Sequence, residues 1–522
     1  MNGSALYVAR STHSRRRDVV RSVLSGTKGL WSSPRPLGYP RAVYDAIVIG
    51  SGAGGGAVAW RLASAGWRVL VLEKGPRHAR RDYRRDGGLK PGEFIPALDV
   101  DPHTVVTRRT TTPVRTTLGW IATCVGGGTV HMGGYFYRFH PDDFRMRTRF
   151  GAYLGVADWP YSCDELEPYY AVAERMMGVS TALRVHPFAE RVDAAGRRRG
   201  WHPFPTPRAI NAEEYDGRPA CEYCALCASY GCPVGARGTS QETFIAHAER
   251  SGRCEVRPLS MVRRIEREGD RVTGCTYLDA EGREHFAAAR VVCVSASAIE
   301  SARLLLLSNL GNEEGQVGRN LQFHAVTMGE ASFVAFPEGD SPFLGRSIGD
   351  FYFLPEGVSD LPKGGMIRFG LTPGRAGLYF EVFHDFLPNE HTFVTLDDAT
   401  TDRWGLPAAR IHLDVPAHHR RAGRFLADRA LDLCEDLGAT EGITTDVGGT
   451  SAYLVHGTCR AGGDPRTSVL DPFCRVHALR NLYVADGSFM PTSGGASTTL
   501  TIVANALRTA DHILARASRL EI

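Results

Sequence analysis

The stretch CEYCALCASYGCPVGA at 221–236 places Cys221, Cys224, Cys227 and Cys232 within twelve positions. Ferredoxin-type runs read C-x2-C-x2-C-x3-C-P, so this one differs by a single residue in its last gap. Four thiolates this close can reach one ion. Three states are compatible with the spacing: an iron–sulfur cluster, a zinc ion pinning a loop, or loop thiols without metal that are free or joined in one or two disulfides. A second group is the glycine run at 50–55, where Gly50, Gly52 and Gly55 form G-x-G-x-x-G and Glu73 follows 23 residues after the first glycine. The first glycine permits a tight turn, the second lets backbone N–H groups approach a pyrophosphate, and the third permits close helix–sheet packing. Glu73 stands at the distance of a carboxylate that accepts hydrogen bonds from an adenosine ribose. In the third group, CVGGGTVHMGG at 124–134, Gly126 and Gly127 suit a backbone that passes against a flat ring, with Thr129 and His131 beside it. The fourth contains His456, an imidazole whose ordinary pKa lies near working pH and suits acid–base chemistry.

Elements to hold these residues are readable around them. A strand at 46–49, an alanine-rich helix near 55–65 and a strand at 68–72 ending in Glu73 make a βαβ unit, which gives the glycine motif its context. Helices are predicted over 163–178, 239–252, 298–309 and 499–517. Short strands fill 254–294, and alternation of apolar and polar residues over 324–415, as in LYFEVFHDF and HTFVTLD, predicts an antiparallel sheet with one covered face. The strand NLYVADG at 481–487 carries Ala485 and Asp486.

Charge and composition exclude some classes. The net charge is +4, but residues 1–41 hold eight Lys or Arg against one acid and are +7, leaving the rest at −3. The globular body is therefore no nucleic-acid surface. Arg15, Arg16 and Arg17 resemble an export signal, but Arg21 and Lys28 interrupt any apolar region after them, and no 18-residue apolar run exists to span a membrane. Twelve cysteines in 522 residues, mostly scattered, fit a reducing, cytoplasmic setting.

Taken in order, the motifs resemble the glucose-methanol-choline (GMC) flavin oxidoreductases from about residue 43 to 515, including WPYSCDELEPYY, VVCVSASAIESARLLLLS and VGRNLQFH. The segment GGGTVH is similar to that of the pyranose oxidases, and the cysteine stretch to that of bacterial gluconate and sugar dehydrogenases. The resemblance implies an α/β fold: a Rossmann-like FAD-binding domain, discontinuous in sequence, plus an antiparallel-sheet substrate (cap) domain. The domains expected are a basic arm at 1–42, FAD-binding parts at 43–165, 246–325 and 451–522, a cysteine-rich connection at 166–245 and a cap at 326–450.

It also implies that Gly50, Gly52, Gly55 and Glu73 hold the ADP half of FAD and that Val262 is a further cofactor-binding residue. Gly126, Gly127, Thr129, His131, Ala485, Asp486 and Thr498 would lie near the flavin and phosphates. The final helix would point its positive N-terminus at the reduced flavin's negative charge. His131 matches the histidine through which pyranose 2-oxidases attach FAD covalently, and packing beside a noncovalent flavin is the other state. The family removes a hydride from a carbinol carbon to flavin N5 while a histidine takes the hydroxyl proton. Here Leu454 occupies that histidine's usual position, and Ser497 replaces the Asn or His that partners it. His456, two residues on, is the expected base with Ser497 as partner; His384 and His391 are the alternatives in the cap.

The expected activity is oxidation of a sugar, polyol, glycoside or aminoglycoside-like sugar, with oxygen, quinone or a redox partner protein as acceptor. The alternatives are a sterol or long-chain alcohol as substrate, a lyase with a redox-silent flavin, or an electron-transfer subunit.

Overall fold

The computed structural model describes residues 44–83, 91–120, 122–151, 155–227, 230–354, 361, 363–372 and 375–522. The basic arm therefore lies outside the described residues. In chain order the strands that position the site are β1 (Tyr44–Ile49), β2 (Val69–Leu72), β3 (His103–Thr107), β4 (Thr110–Thr116), β5 (Cys254–Arg257), β6 (Met261–Glu268), β7 (Arg271–Leu278) and β8 (Glu284–Val294). They continue as β9 (Gln322–Ser332), β10 (Arg346–Ile348), β11 (Gly365–Leu371), β12 (Gly377–His384), β13 (Phe393–Thr401), β14 (Pro407–Leu413), β15 (Glu441–His456) and β16 (Leu482–Val484). The longer helices are α1 (Ala53–Ser64), α2 (Cys163–Met177), α3 (Phe188–Arg198), α4 (Ala298–Ser308), α5 (Ala417–Asp436) and α6 (Thr499–Ser518).

The first sheet runs β5-β2-β1-β8-β7-β6, with β16 pairing the far end of β8. Its centre is parallel: β1 pairs β2 on one side and β8 on the other, and β8 pairs β16. Such strands are covered on both faces, which is why β1 from Ala46 onward and all of β2 read as unbroken, buried apolar runs. Each fully buried Val, Leu or Ile side chain there is worth about 1.5–3 kcal/mol. Helix α6 crosses this layer with Leu500, Val503, Ala504, Leu507, Ala510 and Ile513 buried, a three-and-four spacing that keeps one face inward. Helix α2 begins with a Ser162–Glu165 capping box and ends at Gly178, which adopts φ +65°. It is tied to α6 by Tyr170 and Thr501, 2.8 Å apart.

The second sheet is antiparallel, in the order β15-β9-β12-β11-β10, with Phe204–Pro205 at its edge. Register pairs Val326 with Phe383, Met328 with Glu381, and Arg368 with Glu381. Directly paired residues share a face, so these five side chains point one way. Their neighbours Ile367, Phe369, Leu378, Phe380 and Val382 point the other way and pack on Leu426, Ala427, Ala430 and Leu433 of α5. A third sheet, β13-β14-β3-β4, joins distant segments through a parallel β14–β3 pair. The expected fold class thus holds, with two differences in layout. The boundaries expected at 325/326 and 450/451 fall inside β9 and β15, because both strands continue from the cap toward the cofactor layer. Residues 103–116, expected in the first FAD-binding part, form instead a hairpin whose first strand, 103–107, pairs with 409–413.

Candidate active site

One cavity of ≈ 570 Å³ is lined both by the β1–α1 turn and by the inward face of the antiparallel sheet. At the turn, Gly50 has φ +93°, and a Cβ there would meet the Ser295 carbonyl oxygen at 2.3 Å, so only glycine fits. Gly52 differs: a Cβ built on it meets nothing within 4 Å, so the second glycine faces open space. Helix α1 starts at this point with Gly52 as its N-cap, no side-chain cap and no acid in its first turn. Its leading N–H groups have no intrahelical partner and carry the positive end of the helix dipole.

Two buried carboxylates flank the turn. Glu73 accepts from Ser51 N–H (3.1 Å), Ser51 Oγ (2.7 Å) and Gly75 N–H (2.9 Å). Burial raises its pKa, and the hydrogen bonds from Gly75 and Ser51 pull it back. Asp486 accepts from Ser297 N–H (3.1 Å), Ser488 N–H (2.9 Å) and the hydroxyls of Ser301 and Ser488, and burial likewise raises its pKa. The chain's own donors thus set both acids in place beside the orphan amides.

At the other side of the cavity stand His456, Ser497 and Thr498. His456 ends β15 and Leu454 lies two residues before it; residues i and i+2 of a strand face the same way, and both line the cavity. This accounts for the displaced histidine: a two-residue shift along a strand keeps the side chain on the same wall. His456 is buried, and its Nε2 lies 2.9 Å from Thr498 Oγ1. Burial lowers its pKa to about 3, so the ring is a neutral base at any ordinary pH. Thr498 is the N-cap of α6, and Thr499 and Ile502 in its first turn also line the cavity. The sheet contributes Arg368 and Glu381, an ion pair, with the Arg368 guanidinium 3.7 Å above the Tyr135 ring and hydrogen-bonded to its hydroxyl.

The orphan amides at α1, the open face at Gly52 and the start of α6, all lining one cavity, fit FAD. Comparison with known proteins decides the assignment. Residues 44–326 and 388–506 match the two models of the GMC oxidoreductase family. The chain belongs to the GMC oxidoreductases. It is similar to a paromamine 6'-oxidase of Streptomyces fradiae, at 36% identity over 90% of this chain and 91% of that one. A 6'''-hydroxyparomomycin C oxidase of Streptomyces lividus is 34% identical over the same shares. Among solved structures, a formate oxidase of Aspergillus oryzae superposes with a TM-score of 0.68 at 17% identity, covering 92% of this chain and all of that one. This GMC oxidoreductase uses FAD and acts on CH–OH groups.

The other residues singled out in the sequence fall into two sets. Gly127, Thr129, His131 and Val262 line the cavity. Gly55, Gly126 and Ala485 stand behind the wall: a Cβ on Gly55 would meet the Gly50 carbonyl at 2.0 Å, Gly126 N–H donates to Ser51 Oγ at 3.0 Å, and Ala485 N–H donates to Val294 O at 2.9 Å. Thr129 reaches back as well, bonding Gly126 O (2.6 Å) and Ser240 N–H (2.8 Å). His131 stacks on Phe94, with ring centroids 5.6 Å apart, and burial lowers its pKa to about 4, with Arg237 adding to the effect. Of the alternative bases, His384 is fully buried but does not line the cavity, and His391 is exposed beside Glu390.

The metal expectation for Cys221, Cys224, Cys227 and Cys232 needs correction. Among the described residues no group of three or more His, Cys, Asp or Glu side chains is disposed to hold a metal ion. The thiols are half-buried, and Cys221 and Cys227 pack on Leu183, Ile210 and Phe343 as small hydrophobes. Burial, with Cys227, Cys232 and Cys224 adding to it, pushes the Cys221 thiol up to about 11, which keeps it protonated. The work at this loop is done by a residue that the sequence did not single out. Arg237, 1% exposed, donates to the carbonyls of Met132 (2.6 Å), Val130 (2.5 Å) and Tyr230 (2.5 Å) and so clamps the segment at 130–132 to the cysteine loop. Lys74 was also missed. It bonds Asp101 at 2.6 Å and lies 4.3 Å over Trp120, and both Lys74 and Trp120 line the cavity. Neither residue belongs to a local motif; their roles arise from contacts that reach across as many as 107 positions.

Proposed function

We propose that this GMC oxidoreductase oxidises a carbinol of a sugar, polyol, glycoside or aminoglycoside-like sugar to the ketone or aldehyde, with His456 as the general base. The observation that carries the proposal is that a buried, neutral His456 and the N-terminus of α6 line one cavity with the polar Arg368–Glu381 face of the antiparallel sheet. FAD, when bound, accepts the hydride of the carbinol carbon. His456 takes the hydroxyl proton at a ring nitrogen, Thr498 Oγ1 holds the ring's orientation, and Ser497 supplies a hydroxyl for the substrate oxygen. The first-turn amides of α6 stabilise negative charge on the cofactor. Arg368 and Glu381 give both a donor and an acceptor to a polyhydroxylated or amino-bearing ring.

The similarity to two aminoglycoside oxidases supports an amino sugar as the first substrate to test. A sterol or long-chain alcohol fits less well, because the sheet face carries a buried ion pair. The cytoplasmic setting stays part of the proposal on the strength of the cysteine usage alone. His131 packing beside a noncovalent flavin is the simpler state, supported by its stacking on Phe94.

The test is to purify the protein, record its visible spectrum with iron and zinc content, and assay amino sugars and polyols under air and under nitrogen. Peroxide release under air identifies oxygen as acceptor; turnover with a quinone or dye alone identifies a dehydrogenase. A flavin left oxidised by every alcohol tested would sink the proposal in favour of a lyase.

A further inference from the structure

The loop that brings Ser497 and Thr498 to the cavity, PTSGGAST at 491–498, has no regular secondary structure, yet all eight residues are buried. Its first part is tied down by Trp159, whose Nε1 donates to Thr492 Oγ1 at 3.0 Å, and by Gln322, whose Nε2 donates to Pro491 O at 3.1 Å. Its last residue is tied by the 2.9 Å bond between Thr498 and His456. Between these ties stands Tyr352. Gly495 N–H donates to the Tyr352 hydroxyl oxygen at 2.8 Å, and the Tyr352 ring packs on Ala496 together with Tyr137 and Met366. The contact is close, since a Cβ on Gly495 would crowd Tyr352 Cε2 at 3.1 Å.

Tyr352 does not line the cavity and is itself held by buried charge. Lys363 stands two residues before β11 and Asp385 directly follows β12; Gly365 pairs with His384, so these antiparallel strands bring both side chains to one end of the sheet. Asp143 enters from the single helical turn Pro141–Arg145. Lys363 Nζ donates to Asp385 Oδ2 at 2.5 Å and to Asp143 Oδ1, and the Tyr352 hydroxyl donates to Asp143 Oδ2 at 2.7 Å. His140 N–H gives Asp143 Oδ2 a further bond at 2.9 Å. Lys363, Asp143, Asp385 and Tyr352 are all 3% exposed or less.

The chemistry of these groups fixes which way each bond runs. An ammonium only donates and a carboxylate only accepts. Burial by itself would strip Lys363 of its charge, but Asp143 and Asp385 outweigh it and raise its pKa. Burial and the field of Asp143 raise the Tyr352 pKa, so the phenol keeps its single proton. That proton goes to Asp143, which leaves the oxygen's lone pairs for Gly495 N–H. Buried ion pairs are a poor source of stability, because packed apolar residues in their place often do as well or better. Here the pair gives a direction to a chain of hydrogen bonds that ends two residues before Ser497.

We propose that Tyr352 is a positioning residue for the oxidation: with its hydroxyl oriented by Asp143 and Lys363, it holds Gly495 and Ala496 so that Ser497 meets the substrate oxygen beside His456. Tyr352 acts through Ser497 and touches no substrate. The inference rests on Ser497 supplying a hydroxyl to the substrate oxygen, as proposed above. Removing the Tyr352 hydroxyl would leave Gly495 N–H and Asp143 Oδ2 buried without the bonds they now make, and a loop that moves to satisfy them carries Ser497 with it. Reacting groups tolerate little displacement, since a shift on the order of 1 Å costs about 10²-fold in rate.

The test is a double-mutant cycle on the full-length, flavin-loaded enzyme, read as the rate of anaerobic flavin reduction at saturating paromamine, or at a saturating panel member that bleaches the flavin where paromamine does not. Ser497→Ala and Tyr352→Phe are each expected to slow reduction by about tenfold or more with flavin content kept. With Ser497→Ala already in place, Tyr352→Phe is expected to change the rate by less than about threefold, because the residue it positions is gone. Tyr161→Phe is the control: it removes a buried hydroxyl bonded at 2.9 Å to Asn505, further along α6, and should stay within about threefold of the parent. Where Tyr352→Phe loses its flavin, Asp143→Asn takes its place in the cycle, since an amide offers one acceptor oxygen in place of two to Lys363, Tyr352 and His140 and leaves the Tyr352 ring packed. A rate within about threefold of the parent in Tyr352→Phe, equal slowing in Tyr161→Phe, or undiminished slowing by Tyr352→Phe on top of Ser497→Ala overturns the positioning role alone. Reduction at the parent rate in Ser497→Ala removes the role of Ser497 and this inference with it.

Discussion

Replacing His456 by Gln probes the base without dismantling the site. Glutamine retains a side-chain amide that can bond Thr498 Oγ1, the partner now 2.9 Å from Nε2, so the wall of the cavity keeps its tie to α6. What is lost is a group that can accept a proton. Because burial lowers the His456 pKa to about 3, the ring is wholly neutral at pH 7 and the full base effect is available to lose. A positioned general base contributes about 10²–10⁴-fold, or roughly 2.7–5.4 kcal/mol of barrier at 1.36 kcal/mol per tenfold. The assay is anaerobic stopped-flow reduction of the flavin by an amino sugar, with flavin content and KM measured beside it. Flavin content should match the parent, KM should move by a few-fold at most, and the reduction rate should fall by about two to four orders of magnitude. The pH profile gives a second check: a base held neutral by burial leaves kcat/KM without an acid limb near the ordinary histidine value of 6.5. A reduction rate within about threefold of the parent would refute the assignment, and an acid limb at 6.5 would show instead that burial does not hold the ring neutral.

Other outcomes follow from the same geometry. Gly52→Ala should fold normally, since its Cβ meets nothing within 4 Å, yet bind FAD about tenfold or more weakly by fluorescence titration; Gly50→Ala, at φ +93° and 2.3 Å from Ser295 O, should instead lower the melting temperature of the flavin-stripped protein. Equal effects of the two substitutions would contradict the division of roles. Arg237→Met removes a buried guanidinium from three carbonyls and should cost about 3 kcal/mol or more, seen as a clear drop in thermal stability with weaker flavin retention; an unchanged melting curve counts against the clamp. His456 also makes stability pH-dependent. Its folded pKa of about 3 lies below the ordinary 6.5, so the unfolded chain binds the extra proton, and stability is full above 6.5 and falls as pH drops toward 3, by about 1.4 kcal/mol per pH unit from this ring. Denaturant titrations of the parent and His456→Gln at pH 7 and pH 5 should show the smaller loss in the variant, and parallel losses would argue against a buried neutral ring.

The parts of the site that were legible in the sequence are those fixed by short-range rules. The βαβ unit was readable because a strand, a glycine-bearing turn and an alanine-rich helix follow one another within thirty residues, and α1, α2 and α6 begin and end within two residues of their expected limits. Strands β12 and β13 were announced by alternation. The cavity-facing set Val326, Met328, Arg368, Glu381 and Phe383 was not, since which face of an antiparallel sheet turns inward depends on register between strands, two of which, β9 and β12, pair residues over fifty positions apart. Residues 103–107 escaped for a similar reason, as their partner strand at 409–413 lies some three hundred positions away. The cysteine run misled because close spacing in sequence does not by itself dispose thiols around an ion: Cys221 and Cys227 pack as small hydrophobes against Leu183, Ile210 and Phe343, and no metal-holding group forms among the described residues. The displaced histidine was legible as a doubt about Leu454, and the two-residue period of β15 resolves it.

The central claim, that this cavity joins an FAD site to an alcohol-oxidising histidine, is tested most directly by titrating the purified, flavin-loaded enzyme with paromamine and a panel of sugars and polyols under nitrogen while recording the visible spectrum. The account predicts that at least one polyhydroxylated alcohol bleaches the oxidised flavin bands stoichiometrically, and that His456→Gln abolishes bleaching on the same timescale. A protein that purifies without flavin, or a flavin that every alcohol leaves oxidised, would contradict it.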